Sequence, residues 1–469
     1  MRKLFSISAL LLLVGCAVGG HYKTPQVKLP KTFEGSKELT QEPIDIANWW
    51  NGFKDPQLTK LVEAAVSNNK TIDGAIARLR QARASRSEAL FDLFPTIIGS
   101  ASYIESRQSD RLFPGIERDQ KVYSAGFDAT WELDLFGRVR KSVEAARALE
   151  GSAEAGLQDT LVSVVSEVSR TYLELRGIQN QLDVARKNAN NQAETVKITQ
   201  ALVKGGQSTE LDTARAESQY KTTQATIPLL EAEEISAIYR LSILIGEPPA
   251  TLLVDLSEHK ILPSYEGPKS LSNPTELIQR RADVRVAERQ LAVETARIGV
   301  AKADIFPRVT FIGSLGFEAA DFSGLDDRGN DIHSFGPSIS WAALDMGRVL
   351  ARIRSQEGKA AEAAANYEAS VLEALRDVED SFLRFSKERS RFSYLKEAFE
   401  KSARASELAR AQYQAGLIDF LTVLDSERQL LSSEDALAKS QTTTLTSLVS
   451  IYKSLGGGWE SYEIKNLEK

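Results

Sequence analysis

The sequence predicts a mainly α protein with β-strands of membrane-spanning length, built twice along one chain. Three observations carry that prediction. Apolar residues recur every seventh place at Leu161, Val168, Leu175, Leu182, Ala189, Val196 and Val203, and Leu157, Val164, Ile178 and Ala185 fill most of the second seam position. This is the period of one helix packed against another. Landmarks then return 210 residues later: Asp73 as Asp283, Ala77 as Ala287, Trp131 as Trp341, Gly137-Arg138 as Gly347-Arg348, Tyr172 as Phe382, Gly206 as Gly416 and Gly246 as Gly456. Between the helical stretches the period changes to strict alternation. Tyr123, Ala125, Phe127, Ala129, Trp131 and Leu133 are apolar, and Ser124, Gly126, Asp128, Thr130 and Glu132 between them are polar or small.

Composition narrows the chemistry. At 469 residues the chain exceeds one compact core, yet its duplication points to one elongated body. The net charge is −6 and the basic residues are spread along helices, so no patch matches a phosphate backbone and nucleic acid is not an expected partner. Cys16 is the only cysteine, and His21, His259 and His333 lie far apart. Disulfides, a cysteine nucleophile and a His/Cys metal cage are therefore not expected. With no Ser-His-Asp set and no nucleotide loop, the chain does not read as an enzyme and calls for no cofactor or metal.

Residues 1–15 read as a signal segment, with Arg2 and Lys3 ahead of an apolar run from Leu4 to Val14 that is too short to span a bilayer as a helix. Leu13-Val14-Gly15-Cys16 resembles a bacterial lipobox, which implies a mature chain that begins at Cys16 with a covalent lipid on its thiol. The alternative is an ordinary signal peptide that contains a cysteine. Residues 16–56 carry Pro25, Pro30, Pro43 and Pro56 with no lasting period and read as an extended tether. Trp49, Trp50 and Phe53 at its end are expected to pin it to the body, with a sugar platform as the sharper alternative.

The first repeat, 57–246, opens with helices that stop at Pro95. Strands follow at about 96–106 and 122–133, joined by a charged loop, and their length suits a membrane barrel better than a soluble sandwich. A helical hairpin is expected over 138–246. At 1.5 Å per residue its first helix is a rod of about 100 Å. Gly205-Gly206 makes its tip, Pro228 is expected to kink its return helix, and Gly246 with Pro248-Pro249 ends it. Residues 247–273 read as a connector. The second repeat, 274–456, has strands at about 308–319 and 333–342 and a hairpin over 347–455, followed by a tail over 457–469. The acidic run Asp326-Asp327-Arg328-Gly329-Asn330-Asp331 fails the EF-hand spacing and reads as a solvated loop.

Several stretches together resemble the TolC-like outer-membrane efflux ducts in their lipoprotein branch. They are the lipobox, Trp49-Trp50 with Asp55-Pro56, Trp131 to Arg138 as Trp-Glu-Leu-Asp-Leu-Phe-Gly-Arg, Arg280-Arg281-Ala282-Asp283, and Tyr413 to Asp425 as Tyr-Gln-Ala-Gly-Leu-Ile-Asp-Phe-Leu-Thr-Val-Leu-Asp. The resemblance implies a homotrimer in the outer membrane. Each protomer would give four strands to one 12-stranded β-barrel, continuous with a long periplasmic α-helical barrel. It also implies a passive exit duct for small compounds, working with a periplasmic adaptor protein and an inner-membrane pump of the RND type. The alternatives are a type I secretion-type duct and a lipid-anchored coiled-coil scaffold without a pore.

The same resemblance assigns roles at the tips. Asp425 matches the carboxylate that lines the family's periplasmic aperture, where three like charges would meet near an axis. Where some relatives carry a second aperture carboxylate, this chain has Thr422. Tyr413 and Asp212 match a latch between hairpins, but the arginine that joins them in some relatives is replaced by Ile418. Read from the residues alone, Asp212 and Asp425 are equally helix N-terminal acids favoured by the dipole. Gly205, Gly206, Ser208, Gly416 and Leu417 offer small or exposed surfaces on which an adaptor hairpin would dock.

Overall fold

The computed structural model describes residues 18, 20, 22–30, 32–33, 46–109, 111, 115, 117–263, 265 and 274–462. Cys16, the signal segment, much of the tether and connector, and the end of the tail lie outside the described residues. After a short 3-10 turn at Trp49–Phe53, the elements run in this order: α1 (Pro56–Asn68), α2 (Lys70–Phe91), β1 (Thr96–Arg107), β2 (Asp119–Leu133), α3 (Arg138–Lys204), α4 (Glu210–Leu244), α5 (Leu253–Leu256), α6 (Pro274–Arg280), α7 (Ala282–Ala303), β3 (Arg308–Ala319), β4 (Asp331–Ser340), α8 (Met346–Gln414) and α9 (Phe420–Ser454). Helix α4 continues through Pro228. Strand β2 starts three residues before the expected position, and β4 lies two residues earlier than expected at each end. None of the described helices is long and apolar enough to cross a membrane.

The chain divides into two compact units that do not follow the repeat boundary. Each unit takes the corresponding part of both copies. The physical reason lies in the sheet, where β2 of the first copy pairs with β3 of the second. A single repeat contributes only two strands, too few to stand alone.

The first unit comprises Ala77–Ala155 and Arg285–Ser370 with the described residues up to Val27. Its centre is one antiparallel sheet in the order β1-β2-β3-β4. Register follows the alternation: Tyr123 faces Ala319, Phe127 faces Leu315, Trp131 faces Phe311 and Val309 faces Ile339. Those positions share one apolar face, and Ser124, Asp128, Thr130, Ser314 and Ser338 share the other. At the helix end of the sheet, the indole N–H of Trp131 donates to the Leu93 carbonyl (3.0 Å) and that of Trp341 to the Ile305 carbonyl (2.9 Å). The two copies thus tie strand to helix in the same way. Beside them Arg138 grips Glu132 through two nitrogens (Nε to Oε1, 2.7 Å), and Asp304 accepts from Arg308 (3.1 Å) and Arg352 (3.0 Å). The tether lies along this unit: the Val18 amide donates to Phe136 O, Lys141 Nζ to Gly20 O, and Tyr22 packs on Ala145, Ala148, Ala292, Val293 and Ala296.

The second unit comprises Lys28–Ile76, Gly156–Val284 and Val371–Lys469. Its core includes the heptad: Leu161, Val168, Leu175 and Leu182 are fully buried, Ala189 and Val196 nearly so. Val203, at the helix end, is half-buried. Trp49 and Trp50 are buried, and Trp49 stacks on Tyr452 at 5.0 Å, so these rings pack rather than present a platform to a sugar. Asp55 explains its place before Pro56. One carboxylate oxygen caps α1 through the amides of Gln57 (2.9 Å) and Leu58 (3.3 Å), and the other accepts from the Tyr172 hydroxyl at 2.6 Å. The second copy has Phe382 at the equivalent of Tyr172.

Candidate functional site

Both hairpin tips lie in the second unit and use the same backbone. After α3, Gly206 takes φ +72°, its amide donates to Val203 O at 3.0 Å, and the Gln207 amide donates to Leu202 O at 2.8 Å. After α8, Gly416 also takes φ +72°, with Gly416 to Tyr413 O and Leu417 to Gln412 O both at 2.9 Å. This left-handed cap satisfies the last carbonyls of a helix, and only glycine adopts it without strain. Gly205, Gly206 and Gly416 are exposed, Leu417 is 73% exposed, and the Ser208 hydroxyl is engaged by Asp212 at 3.0 Å.

The next turn inverts the chemistry between copies. In the first hairpin the N-cap is Thr209, and its hydroxyl donates to the Asp212 carboxylate three residues on (2.9 Å). In the second the N-cap is Asp419, whose carboxylate accepts the Thr422 hydroxyl (2.7 Å) and amide (2.9 Å). Threonine and aspartate have exchanged places around one bond. These bonds hold the Asp419 carboxyl below the usual carboxylate range, the hydroxyl contributing most and the amide next. A depressed carboxyl stabilises the fold above the unfolded pKa, and that contribution is lost as pH falls through the folded pKa. Asp419→Ala is therefore expected to loosen the second tip at neutral pH, seen as faster amide exchange over Thr422 to Asp425. The gap from the parent should shrink as pH falls into and then below the ordinary carboxylate range.

Within the protomer Tyr413 and Asp212 have separate partners. Tyr413 is not brought to Asp212: its ring tilts against Phe420 at 5.6 Å, and Asp212 serves as the first-turn partner of Ser208 and Thr209. Ile418, which stands in for the family's arginine, packs with Tyr413 and Tyr220 against Val196, Ala216, Ala409, Phe420, Val423 and Leu424. Asp425 and Thr422 lie exposed on α9, and Asp425 has neither a hydrogen bond nor an ion pair among the described residues.

Sequence reasoning missed one pair at this end. Glu427 is 5% exposed, accepts from Arg410 Nε at 2.8 Å and from the Thr195 hydroxyl at 3.2 Å, and lines a cleft of about 180 Å³ with Tyr413, Phe420 and Val423. In the first hairpin the equivalent positions are Gln200 and Glu217, bonded at 3.0 Å. The signal was available: both pairs sit 17 residues apart across a turn, 210 residues from each other.

The sheet supplies the second functional surface. Its apolar face is bare in the chain, with Phe127 63% and Leu315 57% exposed at mid-strand. Aromatic rings flank that band. Tyr103, Tyr123 and Phe322 gather at the loop end, with Tyr103 and Tyr123 at 4.7 Å and Tyr123 and Phe322 at 5.8 Å. Trp131, Phe311 and Trp341 stand at the helix end. The eight-residue step from Tyr123 to Trp131 spans about 26 Å along the strand, or about 20 Å of height at the tilt of a barrel strand, most of the apolar band of an outer-membrane barrel, about 25 Å.

Comparison with known proteins gives the same picture. The family model described as outer membrane efflux protein matches residues 61–247 and 273–457, one segment in each repeat. The toluene efflux pump outer membrane protein TtgI of Pseudomonas putida is 30% identical over 459 residues, covering 96% of this chain and 97% of its own. Nodulation protein T of Rhizobium leguminosarum bv. trifolii is 28% identical over 439 residues, 92% of each chain. Among solved structures, the outer-membrane channel OprN superposes with a TM-score of 0.89 at 40% identity, over 95% of this chain and 100% of its own.

Proposed function

The chain belongs to the outer membrane efflux protein family, and on that premise we propose that it is the passive exit duct of a tripartite efflux system, closed at its periplasmic tips. It is an outer-membrane efflux channel component and not an enzyme. Three copies form the channel, each giving four strands to a 12-stranded barrel and its helical hairpins to a periplasmic tunnel. One observation carries the reading. Among the described residues β1 is paired only with β2 and β4 only with β3, so the sheet keeps two open edges while its outer face is apolar between two aromatic belts. An open edge cannot stand in lipid, and pairing β4 of one copy with β1 of the next removes every edge.

The tips are the gate in this reading. Asp425 supplies the ring, Thr422 stands beside it, and the apolar packing of Tyr413 against Phe420 with the Asp212 cap holds the two turns in their closed form. The exposed glycines Gly205, Gly206 and Gly416, with Leu417 and Ser208, take the hairpin of an adaptor, behind which stands an inner-membrane pump of the RND type. A lipid on Cys16 holds the tether in the membrane. Two measurements test this. Outer-membrane fractions should yield a heat-modifiable trimer with barrel-type circular dichroism in detergent, and a monomer with purely helical dichroism would favour the scaffold. Gly206→Cys or Gly416→Cys should crosslink to an adaptor of an RND pump in cells, and loss of that crosslink with an intact trimer would remove tip docking.

A further inference from the structure

Two steps carry the first half of the sheet onto the second: β1 moves forward by 212 residues and β2 by 210. They reproduce the geometry, since the pair Thr96–Thr130 becomes Arg308–Ser340, and the indole bond from Trp131 to Leu93 O becomes the one from Trp341 to Ile305 O. The same steps carry the β2–β3 seam onto β4 and β1, the two open edges. Ala129–Gly313 then becomes Ile339 opposite Ala101, and Phe127–Leu315 becomes Pro337 opposite Tyr103, with the apolar face kept apolar. β4 and β1 lie at opposite edges of one sheet, so this seam belongs between copies, where a repeated head-to-tail contact closes a ring. At the helix end the β2–β3 seam is held by charge and by two rings. Arg138 grips Glu132 (Nε to Oε1, 2.7 Å), Arg308 reaches Glu132 at 3.8 Å and Asp304 at 3.1 Å, and Phe136 stacks on Phe306 at 4.6 Å. On the β4 edge the equivalents of Glu132, Phe136 and Arg138 are Ala342, Met346 and Arg348; on the β1 edge those of Asp304, Phe306 and Arg308 are Asp92, Phe94 and Thr96. Glu132 and Arg308, which face each other in the template, have lost their counterparts together. One cation remains on one edge and one carboxylate on the other. Both are spare in the chain: Arg348 is exposed and ion-paired only with its helix neighbour Asp345 (3.1 Å), and Asp92 is exposed with no ion pair among the described residues. Phe94 is 64% exposed.

We propose that each copy seats Arg348 and Met346 on the partner subunit's Asp92 and the partner subunit's Phe94, with Ile339 opposite the partner subunit's Ala101. The inference rests on the three-copy barrel and adds the register and the side chains that close it. The junction between copies then keeps the form of the junction inside one copy, with a single ion pair in place of the charged network. Met346 comes to it from the cluster of Ala301, Val349 and Ile353. Its thioether replaces the Phe136 ring against a phenylalanine, a contact that sulfur makes favourably at a ring edge. An exposed ion pair adds little stability, but it discriminates between registers. A slip of two residues keeps the apolar face outward and so escapes the alternation. It also displaces one strand by about 7 Å, which parts Arg348 from its carboxylate.

Cysteine crosslinking in isolated outer membranes tests the register. With Ile339→Cys and Ala101→Cys in one chain, oxidation by copper phenanthroline is expected to give covalent dimers and trimers. The yield should exceed at least about tenfold that of Ile339→Cys with Gly99→Cys or with Tyr103→Cys, whose β-carbons stand about 7–8 Å apart in this register, beyond disulfide reach. Predominant crosslinking through either displaced pair, in a trimer that keeps its heat-modifiable migration, would overturn the register and leave the three-copy barrel standing. A parent chain that runs as a monomer before and after heating would overturn the barrel itself, and the seam with it. The helix-end contact has its own readout. Asp92→Asn and Arg348→Gln should each shorten the lifetime of the trimer band in SDS about threefold, and the double variant no more than either alone. Losses that simply multiply in the double variant would mean that the two side chains do not meet, and would overturn the ion pair.

Discussion

Phe127→Lys or Leu315→Lys is expected to abolish the assembled barrel while leaving the chain expressed. The two side chains face each other across β2 and β3, on the apolar face, midway between the aromatic belts. A lysine at the middle of a bilayer costs about 2–4 kcal/mol on a barrel strand, and the trimer incurs it three times. The matched control is Ser314→Lys. Ser314 sits one residue along β3 on the opposite face, directly across from Asp128, where a cation meets a carboxylate and water. Heat-modifiable migration of outer-membrane fractions reads the outcome: the trimer band is lost in the first two variants and kept in the third. Equal tolerance of all three would mean that the apolar face does not meet lipid.

Arg281→Ala is the second large effect. Arg281 is 8% exposed and holds Asp283 through two bonds (3.0 and 2.6 Å), Asp377 at 3.2 Å, and the carbonyls of Ser454 at 3.1 Å and Ala374 at 3.4 Å. Asp159 lines the same cavity of about 520 Å³. Burial, and then the charge of Asp283, push its carboxyl above the usual range, and Arg281 opposes that shift. Removing the guanidinium leaves carboxylates facing one another in a partly buried space and is expected to cost about 3–5 kcal/mol. The sign of the pH dependence follows. A carboxyl with a raised folded pKa favours the fold when protonated, and that contribution fades as pH rises from the unfolded value through the folded one. Thermal denaturation of Arg281→Ala should therefore recover part of the loss as pH is lowered from neutral toward the ordinary carboxylate range. A deficit that does not vary with pH would place the defect in packing rather than charge.

The helical architecture was legible because a heptad and a fixed spacing are local signals. Leu161, Val168, Leu175 and Leu182 read as a seam and are fully buried, and the glycine pairs 206/416 and 246/456 end helices at the same two places in each copy. The sheet was legible in its alternation, and its edges drifted by two or three residues because Asp119 and Asp331 extend strands beyond the apolar run. Less legible were relations across the chain. Nothing near Tyr413 signals that its ring packs on Phe420 while Asp212 turns to its own helix start, since both outcomes use the same residues. The exchange of Thr209 and Asp212 for Asp419 and Thr422 is visible only when the copies are aligned position by position. Glu427 looks like any helix glutamate until Arg410 and Thr195 are known to converge on it.

Single-channel recording in planar bilayers tests most directly whether this chain forms a duct closed at its tips. Purified parent protein is expected to insert as discrete conducting units that stay mostly in a low state. Asp425→Ala combined with Tyr413→Ala, which removes the ring packed on Phe420, should shift the same trimer to a larger, longer-lived conductance. A trimer that inserts and remains non-conducting in both forms would contradict the account.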